Sequence, residues 1–117
     1  MSAAITVLSV ILAFSFAGAG SMKLVKHPTA VEQAKHMNAP MRMWQAIGLL
    51  EVSAAVGVVA GLWWEWLGIA ATTGLVLLLT GALLGHRRVA DPPKALIPAI
   101  SLGILSATVL VLHIVDL

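Results

Sequence analysis

The sequence lacks cysteine entirely and carries few charged residues. None of its 117 residues is a cysteine, which excludes disulfide bonds, thiolate metal sites, iron–sulfur ligation and CxxC redox chemistry. Charged residues make up 10% of the chain, whereas soluble domains carry about 25%. Because 60% of the residues are apolar, the charges are too few to cover a water-facing surface. The composition therefore indicates an integral membrane protein.

Charged side chains are absent from four long stretches, residues 1–22, 52–64, 66–85 and 95–112. A helix of about 20 residues crosses the hydrocarbon core of a bilayer. Backbone groups in lipid must be satisfied internally, and the alternating pattern of a membrane barrel is absent, so helices are expected. We predict an all-α fold, an integral membrane four-helix bundle with short loops. Residues 1–117 would form a single transmembrane domain, with spans at about 3–22, 43–63, 67–85 and 95–115.

The seven Lys and Arg residues all fall in the first and third loops of this arrangement. Four spans place those two loops on the same side of the membrane, and the positive-inside rule assigns that side to the cytoplasm. We therefore predict that the basic loops 23–42 and 86–94 are cytoplasmic and that both termini lie outside. The clustering follows topology rather than contact with nucleic acid. No basic residue precedes the first span, so it is expected to be retained rather than cleaved.

Tryptophan and arginine side chains mark the predicted ends of the spans. About 20 residues separate the tryptophan at one end of the second span from those at the other, and this corresponds to about 30 Å of helix. Aromatic rings and basic side chains are typical of the membrane–water interface. The predicted interface anchors are Trp44, Trp63, Trp64, Trp66, Arg87 and Arg88.

Glu51 lies within the second predicted span, about 10 Å from Trp44 along the helix axis. A carboxylate at this depth is costly, so it should face the bundle interior and be either paired or protonated. Lys23 and His86 end the first and third spans on the same side of the membrane, where Arg42 and Arg87 also lie. We predict a polar ligand or proton site formed by Glu51, His86 and Lys23. The alternative is a structural role, in which a neutral Glu51 bonds to a neighbouring helix.

The histidines and glycines suggest packing rather than further chemistry. No histidine spacing matches the HExxH motif or the paired Glu-x-x-His motif of helical bundles, so no metal site is predicted. No cofactor is evident from the residues alone. Two small-xxx-small pairs, Gly57 with Gly61 and Gly81 with Gly85, permit close helix contact and are predicted to pack the bundle.

Three segments resemble parts of the DoxX-like membrane proteins. Phe16–Leu24 resembles the end of that family's first span. The segment Gly48–Glu51 is similar to its second span, and Gly81 with Ala82 and His86 resembles the end of the third. The order and spacing of these segments extend the resemblance over essentially the whole chain.

The resemblance implies a four-helix bundle in a bacterial plasma membrane, with Lys23, Glu51 and His86 as its polar site. Members of the family are associated with a terminal quinol oxidase, with redox-stress complexes or with membrane-protein assembly. The implied function is a redox-associated accessory subunit that binds a quinone or another lipophile around Glu51. The alternative is a non-catalytic assembly or scaffold subunit of a larger complex. Besides the lipid bilayer, the candidate partners are a larger membrane protein and a second copy of the chain.

Overall fold

Short turns divide the chain into helices. The structure, a computed structural model, describes residues 3–115, and it contains no strand within that range. The predicted all-α membrane bundle is confirmed. The elements are α1 (Ala3–Leu24), α2 (Pro28–His36), α3 (Met41–Ala60), α4 (Glu65–Arg88), a 3₁₀ turn (Pro93–Leu96) and α5 (Ile97–Val115).

Prolines fix the start of three helical segments. Pro28 is the first residue of α2, Pro40 immediately precedes α3, and Pro92 immediately precedes the 3₁₀ turn. Proline has no N–H to donate, and its fixed φ suits the first turn of a helix. These residues therefore end one helical segment and allow the next to begin.

Four segments are long and apolar enough to cross a membrane, Ala3–Leu24, Met41–Ala60, Glu65–Arg88 and Pro93–Val115. They correspond to the four predicted spans, with differences at the ends. The second helix ends at Ala60 rather than at residue 63, and the third begins at Glu65 and continues beyond residue 85 to Arg88. The first loop also contains the short helix α2, which packs on the bundle at the end that carries the basic residues.

The four long helices form a closed ring in which α1 contacts α3, α3 contacts α4, α4 contacts α5, and α5 contacts α1. Many large apolar side chains are exposed, as expected of a protein whose surroundings are lipid. The buried core consists of Leu12, Ala13, Phe16, Ala55, Val58, Leu75, Leu79, Ala99 and Val109.

Helices α1 and α3 approach closely at two glycines. A Cβ atom added to Gly20 would lie 2.6 Å from the carbonyl oxygen of Gly48, and one added to Gly48 would lie 2.7 Å from the carbonyl oxygen of Gly20. No side chain fits into such a contact, so glycine at both positions permits the crossing. The crossing brings the side chain of Lys23 against α3, where Glu51 lies one turn beyond Gly48.

The two small-xxx-small pairs behave differently. A Cβ added to Gly57 would lie 2.9 Å from a side chain of α4, and Gly61 packs directly against Gly68, so the predicted packing role is correct for this pair. Gly85 faces the side chain of Met37 rather than another span. Nothing lies within 4 Å of a Cβ added to Gly81, and the predicted packing role is wrong there.

Helices α1, α2 and α4 end in the same backbone motif. Lys26, Asn38 and Ala90 have φ values of 55°, 55° and 57°, in the left-handed region that usually favours glycine. After each of them the next amide donates to the carbonyl five residues earlier, as from Asp91 to His86 at 3.0 Å. This is the Schellman arrangement, and it folds Asp91 back over the end of α4.

We expect Gly20→Ala to destabilise the bundle, because the added methyl group would overlap the Gly48 carbonyl and the side chain of Val52. Overpacking of this kind typically costs about 1–3 kcal/mol. Gly18→Ala is the matched control, because nothing lies within 4 Å of its added Cβ. In the control the change should be neutral or stabilising by about 0.5–1 kcal/mol. Thermal unfolding in mild detergent measures both, and equal melting temperatures would argue against the close crossing.

Candidate functional site

Lys23 and Glu51 form a buried ion pair between α1 and α3. The Nζ atom of Lys23 lies 2.7 Å from Oε1 of Glu51, and the side chains are 12% and 7% exposed. A carboxylate at this depth requires such a compensating charge. Among the residues that the structure describes, Arg42 and Arg87 form no ion pair with Glu51. The candidate partner Lys23 is therefore the one that the structure places at the carboxylate.

Trp44 completes the polar group around the ion pair. Its ring centroid lies 5.5 Å from Nζ of Lys23, within the range of a cation–π contact. Its Nε1 atom is buried and has no hydrogen-bond partner in the described part of the chain. An indole N–H acts only as a donor, so this atom can bind an acceptor.

A cavity of about 970 Å³ lies at this end of the bundle, and its wall includes Lys23, Trp44, Glu51 and His86. The three predicted site residues come from three different helices, α1, α3 and α4, and all of them line this cavity. Its volume is at the upper end of the range for small-molecule pockets. The apolar part of the wall includes Phe16, Ile47, Leu78, Leu79 and Leu102.

His86 belongs to a second polar cluster on the same cavity. Its Nδ1 atom lies 2.5 Å from Oδ2 of Asp91, and Nε2 of His36 lies 2.6 Å from Oδ1. The hydrogen bond from His86, assisted by the one from His36, holds the pKa of Asp91 below its usual value. Within residues 3–115, no group of His, Asp and Glu has the arrangement of a metal site.

Helix α2 covers the cavity at the basic end of the bundle. Ala30, Ala34 and Met37 are buried against the long helices. Two contacts tie the end of α2 to the end of α4. One joins His36 to Asp91, and in the other Nη2 of Arg88 donates to the carbonyl oxygen of Met37 at 3.0 Å. Because Met37 and His36 also line the cavity, α2 forms its wall on this side.

The comparison with known proteins identifies the family. The DoxX-like family model matches residues 7–109, which is most of the chain. This chain belongs to the DoxX-like family. Over 79 residues it is 30% identical to an uncharacterized protein of Bacillus subtilis (strain 168), YdgD, and the aligned region covers 68% of this chain and 69% of YdgD. No solved structure shows a significant match.

The segments that resemble the DoxX-like family come together around one cavity. Phe16 and Lys23 of the first segment, Glu51 of the second, and Gly81 and His86 of the third all line it. Gly20 of the first segment and Gly48 of the second also form the close crossing of α1 and α3. The segments that carry the resemblance therefore lie on the two helices that hold the ion pair and on the part of the cavity wall that α4 forms.

The predicted anchors occupy two kinds of position. The side chains of Trp63, Trp64 and Trp66 are exposed around the turn between α3 and α4, where an interface role remains the prediction. Trp44 instead packs beside Lys23 in the cavity wall. Arg87 is exposed at the end of α4, while Arg88, also exposed, holds α2 through the Met37 carbonyl.

Sequence reasoning missed Asp91 as a site residue. Its position depends on the left-handed conformation of Ala90, which turns the chain back toward His86. Alanine at this position gives no sign of such a turn, because glycine is the usual signal. The sequence signal that could have indicated the contact is the spacing of five residues between His86 and Asp91.

A further polar pair joins α4 and α5 at the opposite end of the bundle. Nδ1 of His113 lies 2.9 Å from Oε1 of Glu65, and the imidazole is buried against Gly68, where a Cβ would collide with the ring. These residues lie in separate segments of the sequence, and their pairing was not predicted. Their separation of 48 residues left no local signal of the contact.

Replacing Asp91 with Asn should loosen α2 from the end of α4. An amide offers one acceptor oxygen instead of two, so it cannot accept from both His36 and His86 as the carboxylate does. We expect faster amide hydrogen exchange at residues 28–36, with little change in α3. Glu32→Gln is the matched control, because it removes a carboxylate of α2 that forms none of the ion pairs described. Equal exchange in the two variants would be evidence against this attachment.

Acid provides a second control on the same prediction. Since the pKa of Asp91 is lower in the folded state, its carboxylate stabilises the folded arrangement above the unfolded value of about 3.9. This stabilisation is lost as the pH falls through the lower, folded-state pKa. After correction for intrinsic exchange rates, exchange at residues 28–36 of the wild type should approach that of Asp91→Asn only in acid.

Proposed function

We propose that this DoxX-like protein is a redox-associated accessory subunit that binds a quinone or a lipophile of similar chemistry. The polar head of the ligand would lie at the Lys23–Glu51 pair. The observation that carries this proposal is the position of that buried pair in the wall of one largely apolar cavity. Such a cavity, with a few convergent polar groups, is typical of a small-molecule site.

The polar groups of the cavity match the two redox states of a quinone head. A quinone presents carbonyl oxygens, which accept hydrogen bonds, and a quinol presents hydroxyl groups, which also donate them. Lys23 and the unpartnered Nε1 of Trp44 are donors, while the carboxylate of Glu51 is an acceptor. The oxidised head is therefore suited to Lys23 and Trp44, and the reduced head to Glu51.

In this function the chain binds the quinone and does not itself transfer electrons to it. Reduction of a quinone consumes electrons and protons together, and the electrons would come from a redox partner subunit. Glu51 would exchange a proton with a head bound at the ion pair, because its carboxylate lies in the cavity wall directly beside the Lys23 ammonium group. An accessory subunit of this kind holds the head in position for its partner.

A non-catalytic assembly or scaffold function is the second candidate. The observation that favours it is that Lys23 and Glu51 already compensate each other's charge at the crossing of α1 and α3. In this function the pair stabilises the bundle, and the cavity holds no specific lipophile. The partner would be a larger membrane protein or a second copy of the chain.

Glu51→Gln distinguishes the two functions. The protein is purified in mild detergent, and mass spectrometry identifies and quantifies the lipophiles that are extracted with it. A hydrogen bond to a charged group contributes about 1.5–3 kcal/mol, so its loss should lower the affinity for the ligand about tenfold or more, and less ligand should be retained through purification. Glu65→Gln is the matched control, because it removes a carboxylate that is also paired but lies outside the cavity wall.

A quinone that is bound stoichiometrically to the wild type and to Glu65→Gln, but lost from Glu51→Gln, supports the quinone site. A wild type that carries no specific lipophile and instead purifies with another membrane protein contradicts that site and supports the scaffold function. Melting temperatures of the variants show whether loss of ligand merely follows loss of the fold.

We also propose that the protein lies in a bacterial plasma membrane, with loops 23–42 and 86–94 in the cytoplasm and both termini outside. The concentration of all seven Lys and Arg residues in these loops supports this orientation. Because the chain has no cysteine, single-cysteine variants report one position each. In intact cells, a membrane-impermeant maleimide should label Trp63→Cys and not Gln33→Cys. The reverse pattern would invert the proposed orientation.

A further inference from the structure

Helices α3 and α4 separate toward the basic end of the bundle. At the other end they touch, since Gly57 meets a side chain of α4 and Gly61 packs directly against Gly68. The same face of α3 continues at helical spacing through Leu50 to Met43. There it is uncovered, with Leu50 60% and Met43 46% exposed. The two helices therefore leave a gap in the half of the membrane that holds the Lys23–Glu51 pair.

The cavity opens through this gap. On α4, Leu77, Gly81 and Leu84 share one face and line the cavity, although Leu77 and Leu84 are 68% and 62% exposed. Met43 of α3 likewise both lines the cavity and is exposed. Side chains that belong to a cavity wall and also to the outer surface mark an opening of the cavity. This opening faces sideways, because all four residues belong to membrane-spanning helices.

Because residue 81 is a glycine, no side chain projects from α4 at this point of the opening. Nothing lies within 4 Å of a Cβ added there, so helix packing does not require glycine at this position. This separates Gly81 from Gly20 and Gly48, where a neighbouring helix excludes any side chain. Any large side chain at position 81 would project into the gap.

We propose that the gap between α3 and α4 is a lateral portal, and that the hydrocarbon tail of the bound amphiphile lies in it across Gly81. This inference rests on the proposed function and specifies its ligand class, a lipid-phase molecule with a polar head and an alkyl or isoprenoid tail. The head lies at Lys23 and Glu51, and the tail passes between apolar side chains into the surrounding lipid.

The two sides of the cavity differ in polarity, and this difference supports lateral passage of the tail. Toward the basic end the wall is formed by α2, whose exposed lining side chains Thr29, Glu32, Gln33 and His36 are polar. In the gap between α3 and α4 the exposed lining side chains Met43, Leu77 and Leu84 are apolar. An alkyl or isoprenoid tail would cover polar groups on the α2 side, whereas in the gap it contacts apolar side chains.

Two probes with the same head and different tails test the portal. They are 2,3-dimethoxy-5-methyl-1,4-benzoquinone and its 6-decyl derivative, added to protein in lipid nanodiscs. The parent protein has Trp63, Trp64 and Trp66 replaced by Phe, so that saturable fluorescence quenching reports binding near Trp44. Gly81→Phe is compared with Gly74→Phe, which has equally open surroundings on the same helix but lies outside the cavity wall.

We expect Gly81→Phe to weaken binding of the decyl probe about tenfold, because the phenyl ring would occupy the space of the tail and binding would then require the tail or the ring to be displaced. Binding of the head-only probe should be unchanged, and Gly74→Phe should bind both probes like the parent. Melting temperatures check that the variants fold equally well. Gly81→Leu provides a smaller obstruction, with a smaller loss, if the phenylalanine variant does not fold.

The other outcomes overturn the portal in different ways. Equal binding of the decyl probe by Gly81→Phe and Gly74→Phe would show that the tail does not pass this position, while the quinone site itself stands. An equal loss of both probes in Gly81→Phe would show that the residue supports the head instead of the tail. Absence of saturable quenching by either probe in the parent would contradict the quinone site and the portal together.

Discussion

A carboxylate in the apolar part of a membrane span must be compensated, and the arrangement of the cavity follows from this constraint at Glu51. Lys23 provides the compensation at 2.7 Å. It lies within reach because α1 and α3 cross where Gly20 and Gly48 carry no side chains. Larger residues at the crossing would push the helices apart and draw the ammonium group away from the carboxylate. The ion pair in the cavity wall thus depends on the two glycines at the crossing as much as on the two charged residues.

The remaining polar contacts attach the elements around the cavity to one another. Asp91, held between His36 and His86, ties α2 to the end of α4 at the basic end, while Glu65 and His113 join α4 to α5 at the opposite end. Gly57 and Gly61 meet α4 in the half of the bundle away from the basic loops, and the proposed portal lies between α3 and α4 in the other half. The bundle thereby encloses the Lys23–Glu51 pair and leaves an apolar cavity wall beside it. Family membership establishes the bundle, and the proposed ligand follows from the chemistry of this cavity.

Much of the fold could be predicted from the sequence, because membrane spans are set by local composition. Uncharged runs of sufficient length located the first, third and fourth spans, and the tryptophans at its two ends located the second span around Glu51. Prolines marked several of the helix boundaries. Of the site, Lys23, Glu51 and His86 could be named in advance, since an ionisable residue in a span is conspicuous wherever the chain folds. The short polar helix α2 lies within the predicted loop 23–42, and its extent could not be predicted because nine residues with little apolar surface carry a weak signal. The sequence could not show that Gly61 packs against α4 while Gly81 has open surroundings, because the two small-residue pairs have the same spacing.

The sequence by itself determined that the chain crosses a membrane as helices and that Glu51 needs a partner, because both follow from the cost of placing polar groups in lipid. Only the tertiary structure decided which cation pairs with Glu51, that Asp91 joins two histidines, and that His113 meets Glu65. Those contacts depend on how helices cross and how their ends turn, and residues far apart in the chain contribute to each. The opening beside Gly81 has the same origin, because it exists only where two neighbouring helices diverge.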